Sequence, residues 1–161
     1  MSKSIFNQSS LLGVTTVVGP YEKFIDDEVE LYGGDKKQID RIKNTAGLHK
    51  RHVVGEKITG LDLAYLAVTN LIGGMDIDLN SIDAFINVTQ TPDFFQPSNS
   101  NVLHGMLNLS NHCSSFDVNI GCSGYVYGLW LAQMMVDSEN CSNVLLVTSD
   151  TMSKNVNKRD R

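Results

Sequence analysis

The chain has 161 residues and a formal net charge of −5, and hydrophobic side chains make up 42% of it. This size and apolar share are enough to fill the core of one domain. The acidic balance argues against a general nucleic-acid binder, and no apolar stretch approaches the roughly 18 residues of a membrane span. The N-terminus lacks the apolar core and cleavage site of a signal peptide, so we expect a cytoplasmic protein with neither nucleic acid nor membrane as partner.

Hydrophobic patterning predicts strands alternating with helices along the chain. Strands are expected at residues 11–18, 51–54, 82–88, 114–119 and 144–148. Helices are expected at residues 26–32, 38–44, 59–72, 99–107 and 125–136. This alternation is typical of an α/β protein in which helices pack on a mostly parallel sheet.

Cys122 is the most informative residue, because it lies in the run DVNIGCSGYVYG between a predicted strand and a predicted helix. Gly121 and Gly124 flank it closely, as expected for a tight strand-to-helix turn. A helix N-terminus stabilises a thiolate and lowers a cysteine pKa from about 8.5 to ~3.5–7.5. Cys122 is therefore a candidate nucleophile, and the alternative is a small buried core residue.

The other two cysteines, Cys113 and Cys141, lack such a turn and are most simply structural or exposed thiols. The spacing of the three cysteines gives neither a disulfide framework nor a metal-binding CxxC pattern. We therefore expect no metal.

The helix after Cys122 carries a stripe of small residues, Gly124, Gly128 and Ala132, that recurs every fourth position. Large apolar residues spread around much of its remaining circumference. We predict a helix that is buried on most sides and closely approached by another backbone. Alternatively, the small residues fit beneath one local side chain.

Several stretches together resemble β-ketoacyl-acyl carrier protein synthase III, a family of thiolase-like condensing enzymes. They are TAGLHKRHV, IDAFINVTQTPDFFQPS, FDVNIGCSGYVYGLWLA, NVLLVTSDTMSK and RDR. The likeness covers most of residues 13–161 and is most specific around Cys122. It implies a thiolase-like half with layered α/β/α architecture, a mostly parallel mixed sheet and a buried central helix after the nucleophilic cysteine.

The resembled enzymes are duplicated proteins about twice this long. The resemblance therefore implies a single thiolase-like N-terminal domain over residues 1–161, without the half that holds the family's catalytic His and Asn. None of the four histidines is assigned as the base. A homo-oligomer, most simply a homodimer, is also implied.

Positive charge is concentrated in two segments, and in the resembled enzymes both border the mouth of the tunnel to the cysteine. The segments contain Lys36, Lys37, Arg41, Lys43, Lys50 and Arg51, and then Lys154, Lys158, Arg159 and Arg161. The resemblance implies that coenzyme A phosphates and an acidic acyl carrier protein dock there. Alternatively, these are solvated loops that happen to be basic.

Four substrate-binding positions are implied by the same resemblance: Arg161, Arg41, Thr45 and Gln96. Arg161 matches the arginine that stacks on the coenzyme A adenine, whereas Arg41 and Thr45 replace the tryptophan and arginine expected there. We therefore expect a carrier-protein thioester to be a better donor than free coenzyme A. Gln96 replaces an aromatic residue that, in the resembled enzymes, reaches the acyl pocket of the partner subunit. A polar group there favours short or functionalised acyl chains, because an unpaired buried amide is unfavourable.

The implied reaction belongs to fatty-acid or related acyl biosynthesis and needs no permanently bound cofactor. Cys122 would accept an acyl group from a coenzyme A or carrier-protein phosphopantetheine thioester before decarboxylative condensation with a malonyl thioester. One alternative is a thiolase-fold acyltransferase that acylates an O or N nucleophile in a secondary pathway. Another is a non-catalytic α/β module that binds a partner.

Overall fold

Strands and helices alternate along residues 3–157, which a computed structural model describes. The strands are β1 Tyr21–Phe24, β2 Lys50–Val53, β3 Ala84–Val88, β4 Ser114–Val118 and β5 Val144–Thr148. The α-helices are α1 Lys36–Ala46, α2 Gly60–Met75, α3 Asn99–Leu107, α4 Gly124–Asp137 and α5 Met152–Asn155. Two 3₁₀ helices cover Ile25–Tyr32 and Leu79–Ser81. Among the described residues, no helix is both long and apolar enough to cross a membrane.

The described chain forms two compact units. The sheet unit holds residues 3–17 and 60–150, and the hairpin unit holds residues 18–59 and 151–157. The expectation of a single domain over residues 1–161 stays a prediction.

A three-stranded parallel sheet in the order β4-β3-β5 forms the centre of the sheet unit. Ala84 lies opposite Ser114 on one side and Val144 on the other, so the three strands run in register from one edge to the other. Parallel strands end at the same edge, and the loops after β3, β4 and β5 therefore meet there. The predicted α/β class with a parallel sheet is confirmed.

Helices cover both faces of this sheet. Side chains alternate across β3, so Phe85 packs with Leu103 of α3 in one apolar cluster, while Ile86 packs with Ala132 of α4 in another. The arrangement is the predicted α/β/α layering, with α2 and α3 on one face and α4 on the other.

The small-residue stripe of α4 packs on the chain's own sheet. Gly124, Gly128 and Ala132 are the buried residues of the helix. A Cβ atom at Gly124 would lie 2.6 Å from Val88 Cγ1, and one at Gly128 would lie 2.8 Å from Leu146 Cδ1. The glycines are needed because the helix approaches β3 and β5 too closely for a methyl group.

The opposite face of α4 is exposed and apolar. Val126 is 67% exposed, and Tyr127, Trp130 and Met134 are also exposed. The prediction that this helix is buried on most sides is therefore wrong. Its apolar composition did not distinguish a helix enclosed by neighbours from one that packs a single stripe on a sheet.

The hairpin unit contains the antiparallel pair β1–β2, α1, the longer 3₁₀ helix and the short helix α5. Asp35 caps α1 by accepting a hydrogen bond from the Lys37 backbone N–H at 2.9 Å. Ile25 and Ile39 are fully buried and supply its apolar core.

Residues 11–18 form no strand, so that prediction is wrong. The segment is rich in apolar residues, but Leu11, Leu12 and Val14 are exposed. A strand needs a neighbour for its backbone hydrogen bonds, and among the described strands β5 pairs with β3 alone. Apolar patterning cannot show whether such a neighbour is present.

Candidate active site

Cys122 lies at the carboxyl edge of the sheet, in the turn that joins β4 to α4. The Gly124 N–H donates to the Gly121 carbonyl at 2.7 Å and closes the turn, and the Tyr127 N–H donates to the Ser123 carbonyl at 3.1 Å. The predicted strand–turn–helix around the cysteine is thus confirmed. Cys122 is exposed, which rules out the alternative of a buried core cysteine.

A pocket of about 180 Å³ adjoins the Cys122 turn. Its walls are Val88, Ile120, Gly121, Cys122, Gly124, Tyr125, Thr148, Ser149 and Asp150. A pocket of this size suits a short chain of heavy atoms. No histidine is among these lining residues, so within the described structure the pocket presents a thiol without an adjacent imidazole base.

Asp150 ties the loop after β3 to the loop after β5. Its Oδ1 accepts hydrogen bonds from the backbone N–H groups of Gln90 and Thr91 at 2.9 and 3.1 Å. The hydroxyls of Thr89 and Thr91 donate to the same oxygen, each at 2.9 Å. Both threonines are buried, so this carboxylate accepts hydrogen bonds from donors that are shielded from water.

Sequence reasoning missed Asp150, which lies 60 residues from Gln90 in the chain. The signal that could have identified it is its position just after the predicted strand at residues 144–148. Polar residues that directly follow neighbouring parallel strands meet at one edge.

Two more aspartates fix helix N-termini in the sheet unit. Asp117 accepts hydrogen bonds from the Asn99 and Ser100 N–H groups of α3 at 3.0 and 2.8 Å. Asp93 accepts one from the Leu61 N–H of α2 at 2.9 Å. Each carboxylate faces the positive end of a helix dipole.

Cys113 and Cys141 lie near the opposite, amino edge of the sheet. Burial raises the pKa of the Cys113 thiol, and the charge of Asp83 raises it further, as does Cys141. The pKa of Cys141 is raised by burial and then by Asp83. Both groups are therefore poorly suited to act as thiolates at neutral pH.

The predicted substrate-binding residues are distributed over both units. Arg41 and Thr45 are exposed neighbours on α1 of the hairpin unit, where the Thr45 hydroxyl donates to the Arg41 carbonyl at 2.7 Å. Gln96 is exposed in the loop after β3 of the sheet unit and does not line the Cys122 pocket. Arg161 lies outside the described residues.

Acidic side chains neutralise part of the first basic segment. The ion pairs are Lys43 with Asp26, Lys50 with Glu22, and Arg51 with Glu28. The Lys50 hydrogen bond is the main reason that the pKa of Glu22 is lowered.

Lys36, Lys37 and Arg41 make no ion pair among the described residues, so the positive charge that remains unpaired in this segment lies on α1. In the second segment, Lys154 donates to the Glu56 carbonyl at 2.8 Å. Lys158 and Arg159 lie outside the described residues.

Comparison with known proteins gives matches in both sequence and structure, and they agree on one enzyme family. The family model of 3-oxoacyl-(acyl-carrier-protein) synthase III matches residues 116–161, which include the Cys122 turn. A Campylobacter jejuni protein, named as a candidate 3-oxoacyl-(acyl-carrier-protein) synthase 3, is 38% identical over 159 residues, covering 98% of this chain and 45% of that protein.

Two crystal structures show the same fold. A 3-oxoacyl-(acyl-carrier-protein) synthase from Burkholderia xenovorans superposes with a TM-score of 0.82 at 31% identity, covering 89% of this chain and 40% of that one. A β-ketoacyl-(acyl-carrier-protein) synthase III from Thermus thermophilus gives a TM-score of 0.83 at 26% identity, covering 95% and 46%.

The parallel sheet, its layering and the cysteine turn at its carboxyl edge define a thiolase-like α/β protein. Within that class, the chain belongs to the 3-oxoacyl-(acyl-carrier-protein) synthase III family. It spans less than half the length of the relatives that it matches.

Proposed function

We propose that Cys122 is the nucleophile of an acyl transfer from a thioester. Its thiolate attacks the thioester carbonyl, the bond from that carbon to the carrier sulfur breaks, and the carrier leaves as a thiol after taking up a proton. The acyl group stays on Cys122. The main observation that supports this proposal is the exposed Cys122 thiol beside a pocket at the start of α4.

The Cys122 backbone N–H supports the same role. It makes no hydrogen bond within the described residues, and so it is free to donate to the oxyanion that forms on the thioester carbonyl. Such preorganised donors are often the largest single contribution to acyl-transfer catalysis.

The donor would be a short acyl thioester of coenzyme A or of the phosphopantetheine of an acyl carrier protein. A pocket of about 180 Å³ beside Cys122 supports a short acyl chain. The unpaired cations Lys36, Lys37 and Arg41 favour an anionic carrier. The carrier would contact Arg161, Arg41 and Thr45.

The second step would be decarboxylative condensation with a malonyl thioester, giving a 3-oxoacyl thioester. It needs groups that bind the malonyl thioester and stabilise the carbanion, and no histidine lines the Cys122 pocket among the described residues. We therefore expect this chain to carry out the acylation step alone and to produce no 3-oxoacyl thioester.

Acylation is tested by incubating the chain with acetyl carrier protein or acetyl-coenzyme A and measuring intact mass. We expect one acetyl group, mapped to Cys122 and delivered faster by the carrier protein. Cys122→Ala should remove the adduct, and the matched control Cys141→Ala should keep it. Acetylation of Cys113 or Cys141 in place of Cys122 would overturn the proposal.

A second candidate transfers the acyl group from Cys122 to an O or N nucleophile. The departures at Arg41, Thr45 and Gln96 from the residues that the family resemblance implies favour it. Challenging the acetylated chain separately with a malonyl thioester, an alcohol and an amine distinguishes the two acceptor classes. Release of acetyl ester or amide favours this candidate over condensation.

A further inference from the structure

We propose that Gln90 is a positioning residue for Cys122, with its amide fixed by Asp150 and placed against the Gly121 end of the cysteine turn. The inference rests on the proposed function, because it assigns Gln90 a role in placing the thiol that the proposed acyl transfer requires. Two contacts of the Gln90 side chain support it.

The first contact fixes the orientation of the Gln90 amide. Its Nε2 donates to Asp150 Oδ2 at 3.3 Å, and its backbone N–H donates to Oδ1 of the same carboxylate at 2.9 Å. A carboxylate accepts hydrogen bonds and donates none. Asp150 therefore selects the amide nitrogen, and the Gln90 Oε1 must point elsewhere.

The second contact shows where that oxygen lies. A Cβ atom built on Gly121 would lie 2.7 Å from Gln90 Oε1 and 3.4 Å from its Cδ. A methyl group at position 121 would therefore displace the end of the Gln90 side chain. That displacement would weaken the hydrogen bond from Gln90 Nε2 to Asp150 Oδ2.

A matching contact lies at the other end of the turn. A Cβ atom at Gly124 would lie 2.6 Å from Val88 Cγ1. Val88 ends β3 and Gln90 follows two residues later. The two side chains thus support the cysteine turn at two points, with Cys122 between them.

The two supports differ in kind. Val88 is buried in the apolar cluster beneath α4, so its place is set by core packing. Gln90 is exposed, and hydrogen bonds to one carboxylate hold it. The hydrogen bonds of Gln90 to Asp150, together with its contact at Gly121, are called the polar clamp. The position of the Cys122 thiol relative to the start of α4 therefore depends on this clamp, which a single substitution can remove without disturbing the core.

The clamp is tested by the rate at which iodoacetamide alkylates Cys122 in four forms of the chain: wild type, Gly121→Ala, Gln90→Ala and the double variant. Contacting residues couple by amounts that correspond to roughly twofold to hundredfold in rate. We expect Gly121→Ala to slow Cys122 alkylation by about tenfold. In the Gln90→Ala background the added methyl should have little effect, so the double variant should match Gln90→Ala.

Internal references separate positioning from folding. The alkylation rate of Cys141 should stay constant across the four forms, and chemical denaturation should show that each form is fully folded under the conditions of the assay. Gly105→Ala is the matched control, because among the described residues no atom beyond the neighbouring backbone of α3 lies within 4 Å of a Cβ atom there. If Gly121→Ala does not fold, Gln90→Ala and Asp150→Asn should each slow Cys122 alkylation several-fold while Cys141 is unaffected.

Equal slowing by Gly121→Ala in both backgrounds, or no slowing in either, would overturn the clamp. Those results would leave the nucleophile assignment intact, provided that Cys122 remains the fastest thiol in wild type. If Cys122 is not the fastest thiol, the proposed function loses its support while the coupling between Gln90 and Gly121 is still measured.

Discussion

Both edges of the parallel sheet contain cysteine and aspartate side chains, but the surroundings of these side chains differ. At the amino edge, Cys113 and Cys141 lie near Asp83, and burial raises the pKa of both thiols. At the carboxyl edge, Cys122 is exposed beside a pocket that Asp150 also lines. A cysteine with a nearby aspartate is therefore not a reactive site in itself. The surrounding backbone determines whether the thiol can react.

The difference arises from strand direction. Helices that follow parallel strands begin at the carboxyl edge, where their free N–H groups can stabilise an anion. At the amino edge, Asp83 Oδ2 already accepts the Ser142 and Asn143 N–H groups at 2.7 and 3.1 Å. Within residues 3–157, the carboxyl edge alone combines an exposed thiol, a helix start and a backbone N–H without a hydrogen-bond partner.

The largest expected effect comes from removing the two aspartates. Asp150→Ala leaves several donors of the buried Thr89 and Thr91 without a carboxylate, so the free energy of unfolding should fall by about 3 kcal/mol. Asp83→Ala should cost about 2 kcal/mol, since Asp83 accepts two backbone N–H groups.

Chemical denaturation measures both changes. The control is Asp78→Ala, which removes an exposed cap of the Asn80 N–H and should cost about 1 kcal/mol or less. An Asp150→Ala effect no larger than that of Asp78→Ala would contradict the assigned hydrogen-bond cluster.

The glycines beneath α4 give the next largest effect. Gly124→Ala and Gly128→Ala each place a methyl group within 3 Å of β3 or β5 side chains, and overpacking of this kind typically costs about 1–3 kcal/mol. Gly73→Ala on α2 is the matched control, because no atom lies within 4 Å of its Cβ position. It should stabilise the chain by about 0.5–1 kcal/mol. Equal changes in the free energy of unfolding at all three positions would show that α4 does not pack closely on the sheet.

The sequence predicted the carboxyl edge well in its local features. Helix 99–107 and strand 144–148 agree with the structure residue for residue, because their apolar runs are bounded by clear breaks. The cysteine turn was predicted from its two glycines. Contacts between distant segments were not predicted. The position of Asp150 just after a predicted strand indicates the edge at which it lies, but no local pattern indicates that it meets Gln90 or that Gln90 meets Gly121.

The hairpin unit shows the same limit. Strand β1 was missed because its four residues are all exposed and carry no alternation that marks a buried face. The basic segment was expected to be strongly positive, but Glu22, Asp26 and Glu28 from preceding elements pair with three of its cations. Charge counted within a short window cannot include acids that the fold supplies from elsewhere.

The structure offers two surfaces for the expected self-association. They are the exposed apolar face of α4 and the outer edge of β4, which pairs only with β3 among the described strands. Sedimentation across micromolar concentrations should show a homo-oligomer, most simply a dimer. Val126→Lys should shift it toward monomer, and a monomer at every concentration in the wild type would rule self-association out.

The smallest expected effect is a pH dependence from the amino edge. Because the folded state raises the pKa of Cys113, the unfolded chain releases this proton first, near the ordinary thiol pKa of about 8.5. The folded state then holds more protons, so the free energy of unfolding falls as pH rises above that value. Cys113→Ala should flatten this slope and Cys122→Ala should keep it; the same slope in all three proteins would assign it to other groups.

The most direct test of the contrast between the two edges is competition among the three thiols of the wild-type chain. Limiting iodoacetamide at pH 7, followed by peptide mapping, reports which thiol reacts first. We predict that Cys122 is labelled well before Cys141 and Cys113, because it alone of the three thiols is exposed at a helix start. Equal labelling, or preferential labelling of Cys113 or Cys141, would contradict the assignment of Cys122 as the nucleophile.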